Sequence, residues 1–317
     1  MHVGRIAAAW LLPSLCLSAQ VGAAPPPSAA AAPGAARAAD AAPVLENVGK
    51  PLLVPFTCGS EEINAFGLAC TVEEPCPVYL ELSGIETVGR KMFLSGNFHT
   101  STTTLSSILL SSEDDGKTWS EPHERIRGGG LDQIQFLDFE HGWVAGHQLQ
   151  ALPRDPFFLL TTDGGKTWRR RPVFGDSQAG TIDQFWFDAR DRGAVVIDRQ
   201  AGEGGGRFAR YESMTGGESW MIREVTSRPP RLKRTAGDNP VRRIRADGAT
   251  QSFRIEKQDG QRWQAVASFL IRVGQCAPTR QEPQQEPPLE PPAAGKYQAA
   301  PPAPQPRVPP SLKKPRP

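Results

Sequence analysis

Tyrosine and histidine are scarce in this chain, at three and five residues of 317. No CxxC pair occurs, and no two histidines have the spacing of a helical HExxH site, so the common zinc signatures are missing. Formal charge is nearly balanced, at +2, which removes the whole-molecule field expected of a nucleic-acid binder. No apolar stretch approaches the ~20 residues that a membrane-crossing helix requires. The most apolar one, residues 6–17, is shorter and is interrupted by Pro13.

That run does fit another purpose. His2 and Arg5 precede it, and small residues follow it with Val21 and Ala23 placed for cleavage. The pattern predicts a secretory signal peptide over residues 1–23, hence an exported protein, periplasmic or secreted, with no membrane span after signal removal. The chain then becomes mostly Ala and Pro, a composition that cannot bury enough apolar surface to offset the entropy of ordering, so residues 24–50 are expected to be a disordered linker. Residues 279–317 are richer still in proline and should be extended, polyproline-like and solvated. What remains, residues 51–278, has the size of one folded domain.

Without the signal the cysteines are Cys58, Cys70, Cys76 and Cys276. An even count in an exported chain predicts two disulfides, with three pairings open. Three cysteines stand at the start of the folded region and one at its last residues, so at least one bridge should join the two ends. On the chain-entropy model, closing so long a loop contributes up to about 5 kcal/mol. No metal or cofactor is expected.

The organising feature is a turn written twice. "SSEDDGKTW" and "TTDGGKTW" align as Ser/Thr-x-Asp-x-Gly-x-Thr-Trp, giving Ser112, Asp114, Gly116 and Trp119 in one copy and Thr161, Asp163, Gly165 and Trp168 in the other. Two worn copies follow. "SMTGGESW" keeps Ser213, Gly217 and Trp220 with Thr215 in place of the aspartate, and "EKQDGQRW" keeps Gly260 and Trp263. Recurrence at roughly 40–50 residues marks a repeat architecture. Between the tryptophans lie short strand-like runs, such as "IQFLDF", "HGWVAGHQL" and "FFLLTTDGG", punctuated by turn residues. Three or four antiparallel strands per repeat make a propeller blade. The expectation is an all-β propeller of about four to five blades, with closure favoured because the cysteines would lock its ends.

In such a turn the aspartate and the Ser/Thr hydroxyl accept bonds from backbone N–H groups, and glycine supplies the positive φ that other residues resist. The tryptophan buries up to ~250 Å² between neighbouring sheets. These turns resemble the Asp-box, or bacterial neuraminidase, repeat. "FLDFEHGWVAGH" followed by "LLTTDGGKTW" resembles the blades of the photosystem II assembly and stability factor family, best over residues 133–225. That resemblance implies a propeller that assists protein assembly, although only four boxes are visible here, two of them degenerate, where the family's propellers have more blades.

Since the turn aspartates are committed to backbone, no catalytic residue is assigned. Sialidases carry the same boxes, and resemblance to them would demand an arginine triad, an activated tyrosine and an acid. None of Tyr79, Tyr211 and Tyr297 looks placed as a nucleophile. Other glycosidases need two carboxylates about 5–9.5 Å apart, and Glu81, Glu86, Asp138 and Asp183 are the candidates for such a pair. His141 and His147 share the hairpin "HGWVAGH", where packing accounts for them better than a metal does.

Basic side chains are the stronger lead. Arg169, Arg170 and Arg171 follow the second turn, and Arg231, Lys233, Arg234, Arg242, Arg243 and Arg245 lie in or beside the long connection after the third. Meeting on one face, they would read acidic protein segments, phosphates or polysaccharide carboxylates. The functional expectation is a non-enzymatic propeller whose face binds a protein or envelope component, as an assembly or stability platform. A glycoside hydrolase is the alternative, and a polyanion- or glycan-binding module is a third reading.

Overall fold

The computed structural model describes residues 44–149, 152–200, 206–232 and 242–278. The chain divides into residues 1–42 and 43–317, and every described residue belongs to the second unit. The expected signal peptide, the expected C-terminal tail and most of the expected linker lie outside the described residues.

Strand follows strand along almost the whole described chain. A two-residue strand β1 (Leu45–Glu46) and a short helix α1 (Ser60–Phe66) precede four antiparallel sheets. Blade 1 is built on β2 (Cys76–Val88), β3 (Lys91–His99) and β4 (Thr104–Ser112), with the last strand of the chain as its fourth member, while the short β5 (Thr118–Trp119) that follows β4 pairs with β1. Blade 2 comprises β6 (Gly129–Phe136), β7 (Gly142–Leu149), β8 (Pro153–Thr161) and β9 (Arg169–Pro172). Blade 3 has β10 (Thr181–Phe187), β11 (Gly193–Asp198), β12 (Phe208–Ser213) and β13 (Met221–Thr226). Blade 4 has three strands, β14 (Arg242–Asp247), β15 (Ser252–Asp259) and β16 (Arg262–Leu270). The last strand, β17 (Arg272–Cys276), returns to pair with β2.

Burial along the strands explains their composition. Strands β3 and β4 are buried at nearly every position, because sheets pack on both of their faces, and they read as continuous apolar and small-residue runs. Outer strands β9 and β13 are exposed along most of their length and carry Arg and Glu, the charged pattern that blunts a sheet edge.

The buried side chains fall into three apolar clusters, each a seam between sheets. Met92 and Leu110 of blade 1, with Trp119 of β5, meet Ile255, Ala267 and Phe269 of blade 4. Phe93 and Leu109 of blade 1 meet Leu131, Val144 and Trp168 of blade 2. Trp143, Phe158 and Leu160 of blade 2 meet Ile182, Phe187 and Val195 of blade 3. The blades therefore pack in the order 4, 1, 2, 3. A closed ring of four needs four seams. Among the described residues there is no fourth cluster, and no hydrogen bond or ion pair joins blade 3 to blade 4. The architecture is that of a β-propeller, with three seams among the described residues.

Two disulfides secure the start of the fold. Cys58 is bonded to Cys276 with Cα atoms 4.7 Å apart, and Cys70 to Cys76 at 5.3 Å. Cys276 and Cys76 are also register partners across β17 and β2, so all four cysteines gather at one place. The long bridge ties β17 to the segment before blade 1; it does not bridge blades 3 and 4.

Two sequence expectations need correction. The linker ends earlier than Lys50: Leu45 and Glu46 pair with Trp119 and Thr118, and the Asn47 side-chain amide donates to Gly116 O and Val266 O. These bonds satisfy polar groups at the seam between blades 4 and 1, which is why the segment is ordered against it. The fourth worn turn is not a copy of the first three. Gly260 lies in the hairpin between β15 and β16, the second and third strands of its sheet, whereas the other turns follow the third strand. Trp263 is only half-buried and lies under the Arg243 guanidinium, 4.1 Å from the ring centroid.

Candidate functional site

The three true turns share one hydrogen-bond frame. Ser112, Thr161 and Ser213 each accept from a glycine N–H four residues on, at 2.8, 2.9 and 2.9 Å. Asp114 accepts from the N–H of Lys117 and of Thr118 and from the Thr118 hydroxyl. Asp163 does the same with Lys166 and Thr167. Burial pushes both carboxyls up, but these bonds outweigh it and hold them at about 2, because hydrogen bonds to the charged form favour it. In the third turn, the Thr215 hydroxyl takes the aspartate's place and accepts from the Ser219 N–H at 2.9 Å. All these groups serve the backbone of their own turn.

Each turn is seated on the preceding blade, and strand register identifies the seat. Ser112, Thr161 and Ser213 lie opposite Met92, Gly142 and Gly193, so the next positions, Phe93, Trp143 and Ala194, are equivalent. Phe93 receives the second turn: its ring lies 6.1 Å from Trp168, and a Cβ on Gly165 would stand 2.4 Å from it. Trp143 receives the third turn, donating its indole N–H to Gly216 O at 2.8 Å and stacking on Phe187 at 3.9 Å. At the third seat the aromatic is replaced by Ala194. The same comparison turns Leu109 and Phe158, both buried, into Arg210.

Blade 3 therefore presents a different face. A cavity of about 400 Å³ opens there, lined by Trp186, Ala194, Met214 and Leu232 together with Arg192, Arg210, Arg231, Asp188 and Glu212. The connection leaving blade 3 runs along this face, anchored by the Gln184 side chain, which donates to Pro230 O and accepts from the Leu232 N–H. Arg192 is paired with Asp188, and Arg210 with Glu212 and Glu224. Arg231 is exposed and, among the described residues, forms no ion pair. Met214, Met221 and Ile222, all more than half exposed, belong to the same blade.

The other basic residues do not assemble with Arg231. Arg169 and Arg171, on β9, both bind Glu218 of the third turn. Arg170 lies over the Phe157 ring at 4.0 Å, and burial pushes its guanidinium pKa down, with nearby Asp155 opposing. On β14, Arg242 is buried against Asp115 at 2.8 Å, while Arg243 binds Glu256, and Arg245 stands 4.0 Å from the same carboxylate. Lys233 and Arg234 lie outside the described residues. The single basic face imagined from sequence is thus distributed over blades 2, 3 and 4, with most of its members already paired.

A second concavity, about 300 Å³, lies where the inner strands β2, β6 and β10 converge, and is lined by Glu86, Asp132, Gln133, Gln135 and Trp186 among others. Burial pushes the Glu86 carboxyl up, with N–H bonds from Thr87 and Phe136 opposing. Asp132 is bound to His147 at 2.8 Å. Asp138 is held well below the ordinary carboxylate range: burial opposes this, but the His141 and Glu140 N–H groups and the His141 ring prevail. Both hairpin histidines thus have carboxylate partners. Sequence reading missed the blade 3 face because its signal is a negative one: a small residue where the two preceding repeats carry an aromatic.

Sheets, seams and turns define an all-β propeller. No family model matches the chain, and no curated protein does. Among solved structures it is similar to "YCF48 bound to D1 peptide", 15% identical with a TM-score of 0.33, over 62% of this chain and 60% of that one. It is also similar to YCF48 from Cyanidioschyzon merolae, 15% identical with a TM-score of 0.24, over 63% of this chain and 73% of that one. The chain thus spans less than two thirds of the first of these. At such TM-scores, fold and function rest on the chain's own sheets and side chains.

Proposed function

We propose that this chain is an exported, non-enzymatic binding platform, a β-propeller that holds another protein or an envelope component for assembly or stability, in the manner implied by its resemblance to photosystem II assembly factors. The observation that carries this reading is the blade 3 face. A cavity of about 400 Å³ with a mixed apolar and arginine lining stands where the two preceding blades are sealed by a neighbour. Concave sites with an apolar body and a few convergent polar groups are the usual form of a recognition surface. The turn aspartates lend no support to catalysis, since their lone pairs are taken by backbone and hydroxyl donors. Crosslinking in the native envelope followed by recovery of the chain should yield one dominant, saturable partner; recovery of none would count against the platform.

The alternative of a glycoside hydrolase draws support from one feature, the raised Glu86 carboxyl facing the same inner concavity as Asp132. A carboxyl with a raised pKa sharing a cleft with a second carboxyl group is what that chemistry uses. Release of reducing sugar from envelope glycans that disappears in Glu86→Gln would move the assignment there. Absence of release across a panel of glycans leaves the platform reading in place.

A further inference from the structure

We propose that the seat on blade 3 takes one large apolar side chain from an extended acidic segment of a partner protein, a reading that deepens the platform assignment and rests on it. Internal precedent supplies the first half of the argument. The equivalent seats on blades 1 and 2 each receive a turn from the next sheet, and each is completed by an aromatic, Phe93 or Trp143. Blade 3 keeps the geometry of the seat and loses the aromatic. With Ala194 there, the space that ring would occupy becomes part of a cavity of about 400 Å³ walled by Trp186, Met214 and Leu232. What is missing at Ala194 is one aromatic ring, next to the apolar wall of Trp186, Met214 and Leu232 and within a rim of charged residues, so the occupant supplies a large apolar side chain from outside.

Charge supplies the second half. The seat is lined by three arginines and two carboxylates. Arg192 and Arg210 neutralise Asp188 and Glu212, and Arg223 also binds Glu212. Arg231 is left exposed at the rim with no ion pair among the described residues. Arg228, on the same connection, is likewise exposed and has no ion pair among the described residues. A segment with aspartate or glutamate on either side of its anchor gains charge-assisted bonds at this rim, whereas a basic segment meets repulsion. Arginines around an apolar pocket are the composition that concentrates binding energy in a few residues.

The test uses the full chain and a fluorescent peptide in which a single tryptophan is flanked by aspartate and glutamate, read by anisotropy. Two variants interrogate the seat. Ala194→Trp refills it from within, as Trp143 does on blade 2, and should leave the fold at least as stable. Arg231→Glu alters only an exposed rim charge. Each should weaken binding about tenfold or more, as should replacing the peptide's tryptophan by alanine. Binding that is unchanged in both variants, equal binding of a lysine-flanked peptide, or no saturable binding up to about 1 mM overturns the proposal. Concentration-dependent self-association abolished by Ala194→Trp would assign the seat to a second copy and overturn it as well. The two readings separate in the envelope crosslinking experiment: a partner recovered undiminished with both variants preserves the platform and removes the seat.

Discussion

The second and third turns perform the same task with different chemistry. In the second, Asp163 gathers four donors, Trp168 is 8% exposed, and its indole N–H reaches Gly165 O at 3.1 Å. In the third, a neutral Thr215 replaces the aspartate, and Trp220 is half-buried with its indole N–H unbonded. The bond to the turn carbonyl comes instead from Trp143 of the preceding blade, which reaches Gly216 O. Stability has moved from within the turn to the seam beneath it. The turn that needs its own tryptophan least belongs to the blade that carries Ala194 in place of an aromatic seat, so both changes fall on blade 3.

The largest effect should come from removing the two tryptophans in parallel. Trp168→Ala opens a cavity between Phe93 and Phe136, whose rings it meets edge-on, and should cost about 3–5 kcal/mol in urea unfolding with little change in slope. Trp220→Ala loses the stack on Phe158 but no hydrogen bond, and should cost about 2 kcal/mol. Equal losses would mean that the two turns are energetically alike and the contrast drawn from their bonds is void.

A smaller separation is expected at the glycines. Gly165 and Gly217 both have positive φ, 82° and 95°, so an alanine at either pays backbone strain of about 1–2 kcal/mol. Only at Gly165 does the new methyl meet a ring at 2.4 Å; at Gly217 the nearest atom, on Phe187, is 3.3 Å away. Overpacking should therefore add about 1–3 kcal/mol to Gly165→Ala alone. Thermal melts showing Gly217→Ala to be the worse of the pair would contradict the seat geometry.

Much of this was legible in the sequence, and the gaps have physical causes. Ser112, Thr161 and Ser213 could be aligned because a turn is a local object whose bonds span four residues. The period then gave strands and blades. What lies across a seam could not be read in the same way. Trp263 has the right spacing but sits in the wrong hairpin, because spacing does not say which pair of strands a turn joins. The arginines looked like one patch because their carboxylate partners, Glu218, Asp115 and Glu256, are distant in sequence or unremarkable locally. The replacement of Phe93 and Trp143 by Ala194 becomes visible only once register places the three in one column.

Acid should give the finest separation. Asp114 and Asp163, held at about 2 in the fold, stand at ~3.9 when unfolded. A carboxyl depressed in the folded state contributes stability that is fully present above its unfolded value and disappears as pH falls through the folded one. Protection of the Lys117, Thr118, Lys166 and Thr167 amides, each referenced to its unstructured rate, should therefore decline between pH ~4 and ~2. The Gly217 and Ser219 amides should keep theirs, because their acceptors, the Ser213 and Thr215 hydroxyls, gain no proton. Thr215→Asp converts the third turn into the chemistry of the second. The neighbouring Glu218 is already neutralised by Arg169 and Arg171, so the new carboxylate meets little repulsion and should add about 0.5–1.5 kcal/mol near neutrality. That gain should fall away as pH drops from ~4 toward ~2, where the introduced acid is protonated in the unfolded chain and half protonated in the fold, and be lost below that. A gain that stays flat across this range would show that the aspartate's charge is not what the turn uses.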